Sequence, residues 1–187
     1  NMNVVSSLLS LHKNSTQNEE AKQALQVSQG RVYAMSAVHE TLYGSENLAE
    51  IDLITYLSKL SNSLIKAYSV DPGKVQLKVD GDEVKIDIDK ASPLGLTVNE
   101  LISNALKYAF QDGRKGKIEV TTRKQENQLE LIIEDNGIGL PQGFDWKNSS
   151  TLGLKLVRNL IENQLNGSIE LDTQGGTQFI IKIYLET

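Results

Sequence analysis

The sequence predicts an α+β fold in which a helical hairpin precedes a two-layer α/β sandwich, with helices on one face of a mixed sheet. Three observations carry this. Apolar residues recur at helical spacing through the first 43 positions and again over 51–65; alternating apolar runs, the mark of strands, begin only at Val75; and the later strand runs come with two further helical stretches among them. With 187 residues, 39% of them hydrophobic, the chain can bury one substantial core with a smaller helical module beside it.

Residues 1–43 read as helical, with a polar break from Lys13 to Asn18 that turns one helix back on the other. In the second arm Leu25, Val32 and His39 fall seven apart, with Ser28, Met35 and Leu42 interleaved as the other seam of a heptad. Two arms alone bury little, so pairing with a second copy into a four-helix bundle is expected, a homodimer through the N-terminal helices. The composition shifts after Tyr43, Gly44 and Ser45, which divides the chain into a hairpin at 1–45 and a second domain at 46–187.

An amphipathic stretch (Ile51, Ile54, Leu57, Leu60, Leu64, Ile65) leads into a turn at Asp71, Pro72 and Gly73. Val75, Leu77 and Val79 alternate, as do Val84, Ile86 and Ile88, and Gly81 with Asp82 between them predicts a hairpin. Leu94 to Phe110 reads as a helix, Ile118 to Thr122 and Leu129 to Ile133 as strands, Leu154 to Leu165 as a helix, and Ile169 to Leu185 as a closing strand pair. The chain opens inside a helical pattern, which points to a piece of a longer protein.

A net charge of −5 offers no general attraction for nucleic acid or anionic lipid. With no cysteine there is no disulfide framework and no thiolate metal site, which suits a reducing cytoplasm. No apolar run is long enough to span a bilayer, and no signal peptide leads the sequence, so no membrane contact is expected from these residues.

Chemistry concentrates in three places. On the 94–110 helix, Leu94, Val98, Leu101, Ala105 and Ala109 form a core stripe, while Glu100, Asn104 and Lys107 project together from another. That second stripe is either a solvated face with a salt bridge or a ligand-facing one. A carboxamide oxygen such as that of Asn104 is a ligand Mg²⁺ accepts while keeping its waters, and Lys107 one turn on can neutralise a phosphate. Next, Glu134 to Pro141 follows directly on an apolar strand. Read as a ligand loop, Asp135 accepts a hydrogen bond from an exocyclic amine such as that of adenine, and Gly137 and Gly139 let a planar base approach the backbone; read plainly, it is a turn. Third, Ser149 to Leu154 opens a helix whose N-terminal amides suit a triphosphate, with Gly153 admitting it, or simply caps that helix. The loop between Gly139 and Gly153, with Gly143, Phe144 and Trp146, has the length of a lid. Gly175, Gly176 and Thr177 mark a tight turn before the last strand.

In their order and spacing these pieces resemble the Bergerat-fold (GHKL) ATPases, the group that includes gyrase, Hsp90, MutL and the histidine kinases. The run from Asn99 to Tyr108 resembles the family's N box, Asp135 to Gly139 its G1 box, Leu152-Gly153-Leu154 its G2 box, and Gly176-Thr177 its closing glycine and threonine. The resemblance implies ATP with Mg²⁺ as cofactor. It gives Asn104 as the metal ligand and Lys107 and Tyr108 as the phosphate and ribose side. Asp135 takes the adenine amine, Thr177 supports the adenine end, and Gly137, Ile138, Gly139, Leu152, Gly153 and Leu154 complete the pocket. Many relatives carry histidine where Tyr108 stands.

The helical half narrows the choice, because a hairpin ahead of the pocket is a histidine-kinase arrangement. Met2 to Leu11 and Arg31 to Leu48 are similar to the histidine kinases whose acceptor segment is His-Arg-Val-Lys-Asn-Asn followed by Ser-Ser-Leu-Leu (HisKA_2-like). In that family the acceptor precedes the position of Asn1. Of the two histidines here, His12 sits at the hairpin end, where the family has glutamine, and His39 reads as structural in the bundle.

The resemblance implies a two-component sensor histidine kinase that moves the γ-phosphoryl of ATP to a histidine upstream and then to an aspartate on a response-regulator receiver domain. Lys107 neutralises phosphate charge, and Glu100 orients the acceptor or a metal-bound water or acts as base. By the same resemblance these residues are expected to be the cytoplasmic catalytic portion, with any membrane anchor upstream, and to bind ATP and dimerise without autophosphorylating. Two other classes stay open: a non-catalytic ATP-binding interaction module, and a gyrase-type ATPase whose hydrolysis depends on Glu100.

Overall fold

A computed structural model of the chain describes residues 2–43, 50–71, 73–141, 143–149 and 151–185, with the side chains of residues 3, 39, 41–43 and 112 outside the description. The hairpin forms as expected: α1 (Met2–Ser15) and α2 (Glu19–Tyr43) pack antiparallel. Asn18 sets the start of α2, its Oδ1 accepting the Ala21 amide at 3.0 Å, and Glu19 and Glu20 lie in the first turn, where the helix dipole favours them.

The seam differs from the heptad expectation. The stripe of α2 that is buried is Ala34, Ala37 and Val38, while Leu25, Ser28 and Val32 are half-buried and Met35 is exposed. Small residues let α2 approach α3 (Leu53–Ala67) and α4 (Ile88–Asn104) closely enough for the Tyr56 hydroxyl to donate to the Ala34 carbonyl at 2.9 Å. The His39 side chain, Gly44, Ser45 and the 45/46 division lie outside the described residues, as does Pro72 of the expected 71–73 turn.

A two-stranded ribbon of β1 (Ile51–Asp52) and β3 (Lys85–Ile86) ties the entry of α3 to that of α4. The main sheet runs β2 (Val75–Gly81), β4 (Gly116–Gln125), β5 (Gln128–Asp135), β7 (Thr177–Tyr184), β6 (Ser168–Asp172), with β2 and β4 parallel and the rest antiparallel. The mixed sheet with helices over it is the predicted sandwich.

Two expectations fail together. Val84, Ile86 and Ile88 do not return as the hairpin partner of β2, which pairs instead with β4. The Asp87 carboxylate accepts the Lys90 amide at 2.8 Å and starts α4 at Ile88, so the helix begins well before Leu94 and carries Pro93 buried inside it. Gly81, at φ +122°, lies so close to the Thr122 backbone that a Cβ there would meet its oxygen at 2.1 Å; the glycine serves contact with β4 and not a turn.

The alternation of β5 puts Leu129, Leu131 and Ile133 against α4 and α5 (Leu152–Arg158). Both helices end in looser, π-wound turns, at Ala105–Ala109 and Asn159–Gln164. β5 extends two residues beyond its expected end, so Asp135 belongs to the sheet: it faces Ile118 of β4 on one side and Thr177 of β7 on the other. That row across three strands is the floor of the site.

Candidate functional site

Between this floor and the last turns of α4 lies a cavity of about 390 Å³, the size of a nucleoside pocket. Leu101, Ala105, Ile118, Ile133, Leu154 and Phe179 give it apolar walls, and Asn104, Tyr108, Asp135, Ile138, Gly139, Gly153 and Thr177 line it as well. The α4 stripe and the loop after β5, far apart in sequence, meet here.

Asp135 is half-buried at the end of β5. Its Oδ1 accepts the Gly137 amide at 2.9 Å, and Thr177 donates to it from across the strand pair. Burial pushes its carboxyl above the ordinary aspartate range, and those hydrogen bonds only partly offset the effect. An acceptor on a mostly apolar floor is what a planar base with a donating exocyclic amine satisfies.

The glycines divide their labour. Gly139, at φ +71°, lines the cavity, and a Cβ on it would come within 3.1 Å of the Gly176 carbonyl oxygen, so the loop turns where the expectation placed it. Gly137 is buried and faces the protein: a Cβ would come within 2.4 Å of Ala109, and the Ile138 amide donates to the Ala109 carbonyl at 3.0 Å. Its missing side chain thus clamps the loop onto α4 and does not admit a base. Gly176 is as tight, with room for no Cβ within 1.9 Å of the Asp135 carbonyl.

The loop from Asn136 to Thr151 has no regular structure among its described residues, yet it is anchored. Trp146 is buried and meets Phe179 edge-on, with ring centroids 5.6 Å apart, while Phe144 lines the cavity. Ser149 and Thr151 share a hydroxyl contact of 2.9 Å just ahead of α5; Ser150 lies outside the described residues. Leu152 is exposed and stands outside the cavity, whereas Gly153 and Leu154 line it.

Lys107 and Glu100 fall elsewhere. Lys107 lines a neighbouring groove of about 700 Å³ between the hairpin and the end of α4, with Lys13, Lys22, Gln26 and Tyr68; Tyr108 forms a wall of both spaces. Burial is the main cause that lowers the Lys107 ammonium from its ordinary range, with Glu100 acting against the shift and Arg31 adding to it.

Glu100 is not a free carboxylate. Arg31 of α2 grips it at both oxygens, Nε to Oε1 at 2.9 Å and Nη2 to Oε2 at 2.8 Å, and the Asn99 amide adds a bond of 3.2 Å to Oε1. Only 3% of Glu100 is exposed, and a Cβ on Gly153 would press against its Oε2. Sequence reasoning missed Arg31. One signal pointed there: the glycine before it, Gly30, sits mid-helix because a Cβ would come within 2.7 Å of Asn99 Oδ1.

The cavity's chemistry fits an adenine nucleotide with Mg²⁺. A half-buried acceptor suits an amine, the apolar walls suit a base, and the Asn104 carboxamide lines the same space. Among the described residues no group of three or more histidine or carboxylate side chains could hold a metal ion.

Comparison with known proteins agrees with this geometry. Residues 1–68 match the family model described as "Histidine kinase", and residues 89–187 match "Histidine kinase-, DNA gyrase B-, and HSP90-like ATPase". The sensor histidine kinase PdtaS of Mycobacterium tuberculosis is 30% identical over 186 residues, covering 98% of this chain and 37% of that protein. Blue-light-activated histidine kinase 2 of Erythrobacter litoralis is 31% identical over 134 residues, covering 71% of this chain and 38% of that protein. The solved histidine kinase domain of the Erythrobacter litoralis EL346 blue-light activated histidine kinase superposes with a TM-score of 0.75 at 26% identity, covering 98% of this chain and 96% of that one. The chain therefore spans under two-fifths of the length of these two curated relatives.

Proposed function

Since the chain belongs to the histidine kinase-, gyrase B- and HSP90-like ATPase family, with a histidine-kinase helical region ahead of the ATPase domain, we propose that it binds ATP with Mg²⁺ as the catalytic part of a two-component sensor kinase. The observation that carries this reading is Asp135, a half-buried carboxylate on the floor of a mostly apolar cavity that Asn104 and Gly153 also line.

Each residue has a task that its setting supports. Asp135 accepts from the adenine amine, a position where guanine offers a carbonyl, and Thr177 steadies that carboxylate. Ile118, Ile133 and Phe179 exclude water from the base. Ile138, Gly139 and Leu154 close the sides, and Asn104 offers its oxygen to the metal. Lys107, in the adjoining groove, presents its ammonium to phosphate oxygens, with Tyr108 between base and phosphates. ATP, when bound, supplies the phosphoryl group.

Calorimetry with ATP and GTP in the presence of Mg²⁺ tests the pocket. ATP is expected to bind at least about tenfold tighter, the value of one hydrogen bond to a charged group. Equal affinity for the two, or none for either, overturns the reading.

In the whole protein, the phosphoryl group goes to a histidine ahead of Asn1 and then to an aspartate of a receiver domain. A longer chain incubated with labelled ATP is expected to carry label on that upstream histidine, and the present residues none; stable label on His12 contradicts this. The gyrase-type alternative needs Glu100 to activate water, and the grip of Arg31 on both its oxygens speaks against that. Dimerisation through α1 is supported by the apolar side chains on its exposed surface. Among the described residues no helix is long and apolar enough to cross a membrane, and a cytoplasmic setting is part of the same proposal.

A further inference from the structure

The contact between α2 and α4 joins three charges of two domains. Glu100 and Lys107 stand seven residues apart, about two turns along α4 and its π-wound extension, on the stripe that also carries Asn104. The Glu100 carboxylate is enclosed, and Arg31 holds both its oxygens. Lys107 feels the fields of both partners, yet among the described residues no carboxylate forms an ion pair with it.

We propose that Arg31 is a positioning residue for the phosphate end of the nucleotide: by occupying Glu100 from the hairpin, it keeps that carboxylate off Lys107 and leaves the ammonium to the phosphates. The inference rests on the adenine-nucleotide reading above and deepens it. Removing one member of a buried ion pair leaves the other uncompensated, a strongly unfavourable state that a proton or a cation within reach relieves. Lys107 is that cation. It has a long flexible stem, projects on the Glu100 side of the same helix and lines the groove beside the hairpin. A lysine drawn back to Glu100 no longer serves an anion, so Arg31, which touches no nucleotide, sets how strongly phosphates are held.

A plain structural brace makes a different forecast. Loss of a brace weakens every ligand of the cavity alike, whereas loss of positioning falls on the phosphates and is undone by removing the Glu100 charge. The experiment is calorimetric titration of the chain with ATP and, separately, adenosine, both with Mg²⁺, for the unaltered protein, Arg31→Met, and Arg31→Met with Glu100→Gln, each checked by a thermal melt.

Arg31→Met is expected to lower ATP affinity roughly tenfold, one charge-assisted contact, and to leave adenosine affinity unchanged. Adding Glu100→Gln is expected to bring ATP affinity back to within about twofold. Equal losses for ATP and adenosine, no loss, or no recovery in the double variant overturns the proposal. Should Arg31→Met fail to fold, the double variant, whose pair is neutral and of similar volume, decides alone: ATP affinity near that of the unaltered chain supports the proposal, and a loss confined to ATP overturns it. An unaltered chain that binds neither ligand removes the nucleotide reading itself, whereas one that binds both keeps that reading whatever Arg31 does.

Discussion

The cavity and the outer face of α1 use apolar residues in opposite ways. In the cavity, Ile118, Ile133 and Phe179 are propped by the sheet and almost wholly covered by their neighbours, so the walls keep their shape without a ligand. On α1, Val4, Val5, Leu8 and Leu11 stand 45–64% exposed, with nothing among the described residues to cover them. A mostly apolar slot with a half-buried acceptor on its floor suits a small planar ligand, while an open helical stripe suits another helix. The hairpin is thus finished on the side facing the ATPase domain and unfinished on the other.

The sharpest way to break this contrast is to open the slot from within. Gly137→Val forces side-chain atoms into Ala109, and the expected loss is about 3 kcal/mol of stability, read as a lower urea midpoint, together with loss of ATP binding. A variant of unchanged stability removes the clamp role given to Gly137.

Asp135→Asn is expected to cost roughly 2 kcal/mol in ATP affinity, about thirtyfold, because the amide presents the base with a weaker acceptor and a competing donor. Its stability should move the other way. Burial raises the Asp135 carboxyl in the folded state above its unfolded value, so folding is favoured where that group is protonated, and the advantage is lost as pH rises through the folded value. Without ligand, the unaltered protein should gain stability relative to Asp135→Asn as pH falls through the carboxylate range. Urea titrations of both proteins across that range check the sign; parallel curves show that burial does not govern the group.

On the open side, Leu8→Asp with Leu11→Asp is expected to weaken self-association by about 2 kcal/mol or more while leaving adenosine affinity unchanged, measured by sedimentation equilibrium. A monomer before substitution removes the dimer proposal. The smallest effect belongs to a surface pair on the sheet: Arg123→Ala, which breaks the contact with Glu130, should change stability by less than about 1 kcal/mol.

Legibility in the sequence followed the range of the interactions. Period and capping are local, so the hairpin, β5, α5 and the closing strand pair stood close to where the structure has them, and Asn104, Asp135, Gly139, Gly153 and Thr177 do line one cavity. Local signals also misled. Alternation through Val84, Ile86 and Ile88 looked like a strand, yet the Asp87 cap turns the chain into α4 just there. Gly81 and Asp82 looked like a turn, whereas the glycine serves a parallel neighbour some forty residues on, within the 116–125 strand. Arg31 and Glu100 are 69 positions apart, and no spacing rule connects them. Gly137 was expected to let a planar base approach, whereas in the fold the surface that a Cβ there would meet is Ala109.

The chain contains a single tryptophan, and Trp146 is the residue that pins the loop edge-on to Phe179, a wall of the cavity. Its emission is therefore a built-in optical probe. Occupancy of the slot should alter its colour or intensity without any added label, and a stopped-flow trace of that signal would time the loop's response separately from any chemistry.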